Sequence, residues 1–360
     1  MKTKTFLFMI LTSLVTALYA APAVKDFPAI KPGMRPVGGN AMQKLYILSI
    51  IYPQMPHSVK SGDILNLVQK QYSADKVEVF AVLPAAKEKV SAFAAMHPEF
   101  DIALCSDVDL KLFRKLLGSN VNSFGQSSIF NAAGKLLWNG EIVDLPMMTR
   151  HITSGKYSER EEIQISALQN SLKAALRSGN AKLIAEAADQ ILLRRPEQIS
   201  AVNAKAYALE ISNDIEGIKK FFQSRIDRFP TAQENYFMYI DAAFRIVPLQ
   251  NQAPGIVRQF INAFPKCGND INALVWDLLI RLPFDPEAYK TACYAEKILL
   301  NAPGAVPSRA LATLALLEYR RCNLVKAQKL LAQAQALAKT AAEKDFLEKL
   351  AAYFNTVAKQ

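Results

Sequence analysis

Cysteine is scarce in this chain. Four occur in 360 residues, at Cys105, Cys267, Cys293 and Cys322, and no two lie close enough to make a Cys-x-x-Cys centre. Histidine is scarcer, with three. No Cys/His cluster has the spacing of a zinc site, so no metal and no cofactor is expected. Runs of five or more Lys/Arg are missing, and so is any basic segment interleaved with aromatics. The formal charge is +11, but it is spread thinly. Residues 42–155 hold 11 basic and 10 acidic groups, and residues 156–360 hold 27 and 21. Nucleic-acid binding wants a clustered basic stripe, so no nucleic-acid partner is expected. What remains is a generally basic, solvated surface.

A second long apolar run is also lacking. The single one, Phe6 to Leu18, follows Lys2 and Lys4 and precedes small residues at Ala20, Ala21 and Ala23. That is the layout of a secretory signal peptide over 1–23. The run is too short for an ordinary membrane-spanning helix, although an uncleaved anchor is the other reading of it. Export to a periplasmic or extracellular location, without stable membrane insertion, is expected. Residues 24–41 hold three prolines and three glycines and read as an extended linker.

Alternating strands and helices begin at Met42. The apolar run Leu45–Ile51 predicts a strand and Ser58–Tyr72 a helix. Val77–Leu83, "VEVFAVL", is a second buried strand, followed by a helix over Ala86–Met96. Asp101–Cys105 predicts a short strand and Asp109–Leu117 a helix. Ser128–Asn131 and Leu136–Asn139 form a hairpin, with Gly134 in its turn. Asp144–Thr153 closes the set as a helix. Strands alternating with helices, then a hairpin and a helix, imply a sheet covered on both faces.

Three stretches in 42–153 resemble the thioredoxin-like fold, in particular its exported thioredoxin–peroxiredoxin branch. They are "LYILSIIYPQMPHSVK", "VEVFAVL" with the helix after it, and "NVNSFGQSSIFNAAGKLLWNGEI". The resemblance places Pro56 at the proline of a Cys-x-Pro-Cys loop, Gln54 at its nucleophile and His57 at its resolving cysteine. Ser127 stands where the family keeps a cis-proline. Disulfide exchange needs a low-pKa thiolate at a helix N-terminus, and Gln54 can neither ionise nor attack sulfur. A degenerate redox loop is therefore expected. His57 has two readings: a general base or metal ligand near a helix N-terminus, or an exposed residue in a decayed site without a partner group.

After Gly155 glycine nearly vanishes, and apolar residues recur with a period near 3.6. Paired helices are predicted over 161–178 and 181–194, 198–212 and 215–228, 232–246 and 253–264, 269–281 and 286–300, 307–321 and 323–338, then 341–358. Pro196, Pro230, Pro265 and Pro303 close second helices at spacings of 34, 35 and 38. A period near 34 resembles tetratricopeptide helix pairs, and an irregular bundle is the alternative. Leu314, Ala315, Ala327, Leu331 and Ala334 fall at the packing positions of that repeat. The fold class expected is an α/β thioredoxin-like domain, 42–155, followed by an all-α helical-repeat (tetratricopeptide-like) domain, 156–360.

Stacked helix pairs bind extended peptides or another protein's helix. In "ENYFMYIDAAF" the stripe Phe237, Ile240, Ala243 and Phe244 reads as core, which leaves Tyr236 and Tyr239 as outward anchors for a protein or peptide partner. Cys267 and Cys293 are the pair expected to bridge if any disulfide forms in an oxidising compartment. Otherwise all four cysteines are small buried hydrophobes. Two function classes stay open. One is a non-catalytic exported adaptor. The other is a thiol-disulfide or peroxide enzyme with its chemistry moved to another cysteine, Cys105 before the rest.

Overall fold

A computed structural model describes residues 24–25, 44–55, 58–117, 125–303 and 305–357. The signal-peptide reading of 1–23, most of the linker, and Pro56 and His57 lie outside the described residues. The contacts divide the chain into two compact units, 1–208 and 209–360.

The first unit holds a six-stranded mixed sheet. Its strands are β1 (Val24–Lys25), β2 (Leu45–Ile50), β3 (Val77–Leu83), β4 (Ala103–Ser106), β5 (Gln126–Asn131) and β6 (Leu136–Glu141), in the spatial order β1-β4-β3-β2-β5-β6. The first four run parallel, and β5 runs antiparallel to both its neighbours, β2 and β6. Val24 and Lys25, read as linker from the sequence, add to the sheet edge by pairing with Leu104 and Cys105. The helices are α1 (Ser58–Gln71), α2 (Lys87–Met96), α3 (Lys111–Leu117) and α4 (Leu145–Thr153).

Successive strand residues point to opposite faces, and both faces are covered. Leu45, Ile47, Val79, Ala81 and Leu83 pack with Leu65 and Val68 of α1, Val90 and Phe93 of α2, and Met148 and Ile152 of α4. Leu48, Ile50, Phe80, Val82 and Cys105 face the other way, against Leu110 and Phe113. That is why β2 and β3 are apolar almost throughout rather than alternating. The β5–β6 turn closes through Asn131, whose Oδ1 accepts the Ala133 and Lys135 N–H groups. Gly134 takes the left-handed backbone there (φ +76°), which L side chains resist.

Consecutive helices follow: α5 (Glu159–Ser178), α6 (Ala181–Arg194), α7 (Ile199–Ile211), α8 (Ile215–Arg228), α9 (Gln233–Arg245), α10 (Ala253–Ala263), α11 (Gly268–Arg281), α12 (Pro286–Leu299), α13 (Pro307–Arg320), α14 (Leu324–Leu337) and α15 (Ala341–Val357). Their ends are set by ordinary chemistry. Side-chain oxygens of Ser158, Asn180, Asp214, Asp285 and Asn323 accept first-turn N–H groups, which helix starts leave unpaired. A six-residue 3₁₀ helix, Val247–Gln252, occupies what the sequence left as a connection. Leu314, Ala315, Ala327, Leu331 and Ala334 are all buried, and the small side chains let α13 and α14 approach closely.

The first unit does not end with the sheet. Leu172 and Ala175 of α5, Ile184, Ala188 and Ile191 of α6, and Ala201, Ala204 and Ala208 of α7 form one cluster. Polar contacts fasten these helices to the α/β part. Tyr157 donates to the Leu137 carbonyl, and Lys135 pairs with Glu159 at 2.8 Å. Arg195 is buried, reaching Glu162 at 2.9 Å and the Met148 sulfur at 3.3 Å. Glu162 is buried as well, and Arg195 supplies the counter-charge a buried carboxylate needs. The boundary drawn at 155 marks the change of periodicity. The contacts group the first two helices and most of α7 with the sheet.

Candidate functional site

The loop after β2 is built from Tyr52 to Met55, where Met55 N–H bonds the Tyr52 carbonyl at 2.9 Å. Gln54 and Met55 are exposed. Beneath it, Ser49 of β2 lies opposite Ser127 of β5, and their hydroxyl oxygens are 2.6 Å apart and buried. The hydroxyl pair satisfies itself inside the sheet, so Ser127 serves the β2–β5 pairing. No thiol stands at Gln54.

Cys105 cannot replace one there. It lies in the row Ile50–Val82–Cys105 across β2, β3 and β4. Two strand spacings, roughly 10 Å, separate its backbone from Ile50. Its exposure is 0%, among Leu48, Phe80, Val82 and Phe113. Thiol chemistry needs an accessible thiolate, and this side chain is sealed.

None of the four cysteines is in a disulfide. The Cys267–Cys293 pairing is corrected by where each thiol points. Cys267, at the start of α11, accepts from Gln233 Nε2 at 3.1 Å. Cys293, within α12, faces the Arg321 guanidinium after α13. One looks to the preceding helix pair and the other to the following one. Among the described residues, no group of three or more His, Cys, Asp or Glu is placed to hold a metal ion.

The outward placement of Tyr236 and Tyr239 is also corrected, since each is 4% exposed. Tyr239 stacks on Phe222 at 5.3 Å, and Tyr236 meets Phe260 and Phe264 edge-on. Burial raises the pKa of both phenols. Phe237, assigned to the core from spacing, is only half-buried. The buried face of α9 thus takes in Tyr236 and Tyr239 together with Ile240, Ala243 and Phe244.

A cavity of about 320 Å³ opens in the second unit. It is lined by alternate helices: Asn272 and Trp276 of α11, Arg309 and Thr313 of α13, Glu343 and Phe346 of α15. Trp276 and Phe346 meet at 5.2 Å with their planes 61° apart. Arg309 Nε stands 3.9 Å from Glu343 Oε1. Glu343 is largely committed elsewhere, because its Oε2 accepts the Lys339 and Thr340 N–H groups at 2.9 and 3.3 Å. The Glu343 N–H in turn bonds the Thr340 hydroxyl at 3.1 Å, a capping box. Those amide bonds hold the carboxyl below its ordinary pKa. Sequence reasoning missed this cavity. A signal existed, since Trp276, Arg309 and Glu343 are 33 and 34 residues apart, about one repeat each.

No family model matches the chain, and no curated protein matches it. Among solved structures, a thioredoxin-like protein from Parabacteroides distasonis ATCC 8503 is similar over 35% of this chain and 99% of its own, at 14% identity and a TM-score of 0.26.

Proposed function

We propose that this chain is an exported, redox-inactive thioredoxin-like and helical-repeat protein that works as a protein-binding adaptor. The observation that carries the reading is the exposed Gln54 where the resemblance puts a nucleophilic thiol, with Cys105 sealed two strands away. The tetratricopeptide-like character of the second part is supported by proline spacings of 34, 35 and 38. It is also supported by a cavity lined by α11 and α13, first helices of successive pairs, and by the last helix, α15. Such stacks present an extended binding surface. Export rests on the Lys2-to-Ala23 pattern. No described helix is long and apolar enough to cross a membrane. The partner is a protein or peptide, and neither nucleic acid nor a cofactor is part of the reading.

The test is paired. Insulin reduction with a dithiol donor should stay at background, and capture from the exported fraction should return a specific protein. Turnover like that of an ordinary thioredoxin, abolished by Cys105→Ser, would replace the adaptor with an enzyme using a relocated cysteine.

A further inference from the structure

We infer that the α11–α13–α15 cavity binds an acidic peptide segment with one large apolar side chain as its anchor. This deepens the adaptor reading and rests on it. At about 320 Å³ the cavity is at the small end of ligand sites, the right scale for one side chain and its adjoining backbone. Trp276 and Phe346 supply the apolar wall, with Phe346 still 38% exposed and so able to gain by being covered.

The charges choose the sign of the segment. Glu343 is held by two backbone N–H groups, so its negative charge is already stabilised. Arg309 has 63% of its side chain exposed, and its contact with Glu343 is long at 3.9 Å. The guanidinium is therefore the group at this mouth with capacity left, and carboxylates are its natural partners.

The probe is the peptide acetyl-Asp-Glu-Leu-Phe-Asp-Glu-amide, whose blocked C-terminus leaves only side-chain carboxylates. Trp276 is the reporter: of the two tryptophans, Trp138 is buried in the sheet core. Acrylamide quenching of Trp276 should fall as the peptide binds. Affinity should drop roughly tenfold or more with Leu-Phe replaced by Ala-Ala, with Lys in place of Asp and Glu, or in Arg309→Gln, whose exposed position spares the fold. Absence of protection at millimolar peptide, equal binding of the lysine peptide, or unchanged affinity in Arg309→Gln overturns the inference. Partner capture separates the two readings. A partner still held by Trp276→Ala and Arg309→Gln sinks the cavity and leaves the adaptor. A chain that captures no partner while binding the peptide in this way sinks the adaptor and keeps the cavity as a peptide site.

Discussion

The carboxylate of Asp144 accepts both the backbone N–H of Ser200, at 2.9 Å, and its hydroxyl, at 2.5 Å. The two residues are 56 positions apart. Asp144 precedes the last helix of the α/β part, and Ser200 opens α7. One carboxylate therefore ties the helical segment to the sheet, across the point where the sequence changes character.

Burial pushes the Asp144 pKa from 3.8 up to about 6, against the opposing pull of the Ser200 hydrogen bonds. The sign follows from proton counting. Between pH 4 and 6 the folded protein holds a proton that the unfolded chain has lost. Stability from this group therefore falls as pH rises through that window and levels off above it. Urea unfolding at pH 4.5, 6 and 7.5 should show that decline, and Asp144→Asn should flatten it. An Asn variant with the wild-type slope would assign the slope to other groups.

Arg195→Ala should destabilise the first unit by about 3–5 kcal/mol, because it strands Glu162 as a buried, unpaired charge. Burial already raises the Glu162 pKa, and Arg195 opposes that rise. The double substitution Arg195→Met with Glu162→Leu should recover most of the loss. Thermal unfolding of the three proteins measures the difference, and a double variant no better than Arg195→Ala contradicts the account.

Ser127→Ala should cost about 1–2 kcal/mol, by leaving the Ser49 hydroxyl buried without a partner. Removing both hydroxyls should cost less than removing one. A double-mutant cycle by denaturant unfolding reads this directly.

Tyr239→Ala should cost about 3–5 kcal/mol, as aromatic truncations in cores do, through loss of its stacking on Phe222. Any weakening of partner capture should then track unfolding. A Tyr239→Ala protein with wild-type melting and no capture would restore the outward placement that the burial removes.

A fragment ending at Gly155 should be markedly less stable than one continued through α7 to Ser212. The shorter piece loses Tyr157–Leu137, Lys135–Glu159, Arg195–Met148 and Asp144–Ser200. Limited proteolysis of the whole chain should accordingly spare Ser154–Ser158 at early times. An early cut there, giving two stable halves, would support a boundary at 155 over the grouping of contacts.

The sequence by itself determined the order and kind of the elements. Val77–Leu83 was legible to the residue because seven apolar-rich positions between turn signals leave one buried strand. Helices α5 to α15 were legible within about two residues, since their ends are written in local chemistry: Asn180, Asp214, Asp285 and Asn323 at the starts, prolines beyond the ends. That the loop after β2 carries Gln54 and no cysteine needed no structure either. Tertiary packing alone decided the rest. Period 3.6 gives a helix an apolar stripe, but its exact rotation depends on what the neighbouring helices offer, so Tyr236 and Tyr239 went inward. Cys267 and Cys293 sit on neighbouring helices, yet their thiols diverge toward Gln233 and Arg321. The Asp144–Ser200 and Arg195–Glu162 pairs join positions 56 and 33 apart, and no local pattern encodes a distance that only the packed helices bring to zero. The Trp276–Arg309–Glu343 row shows both sides: its repeat spacing is in the sequence, and its cavity exists only because three alternate helices leave a gap.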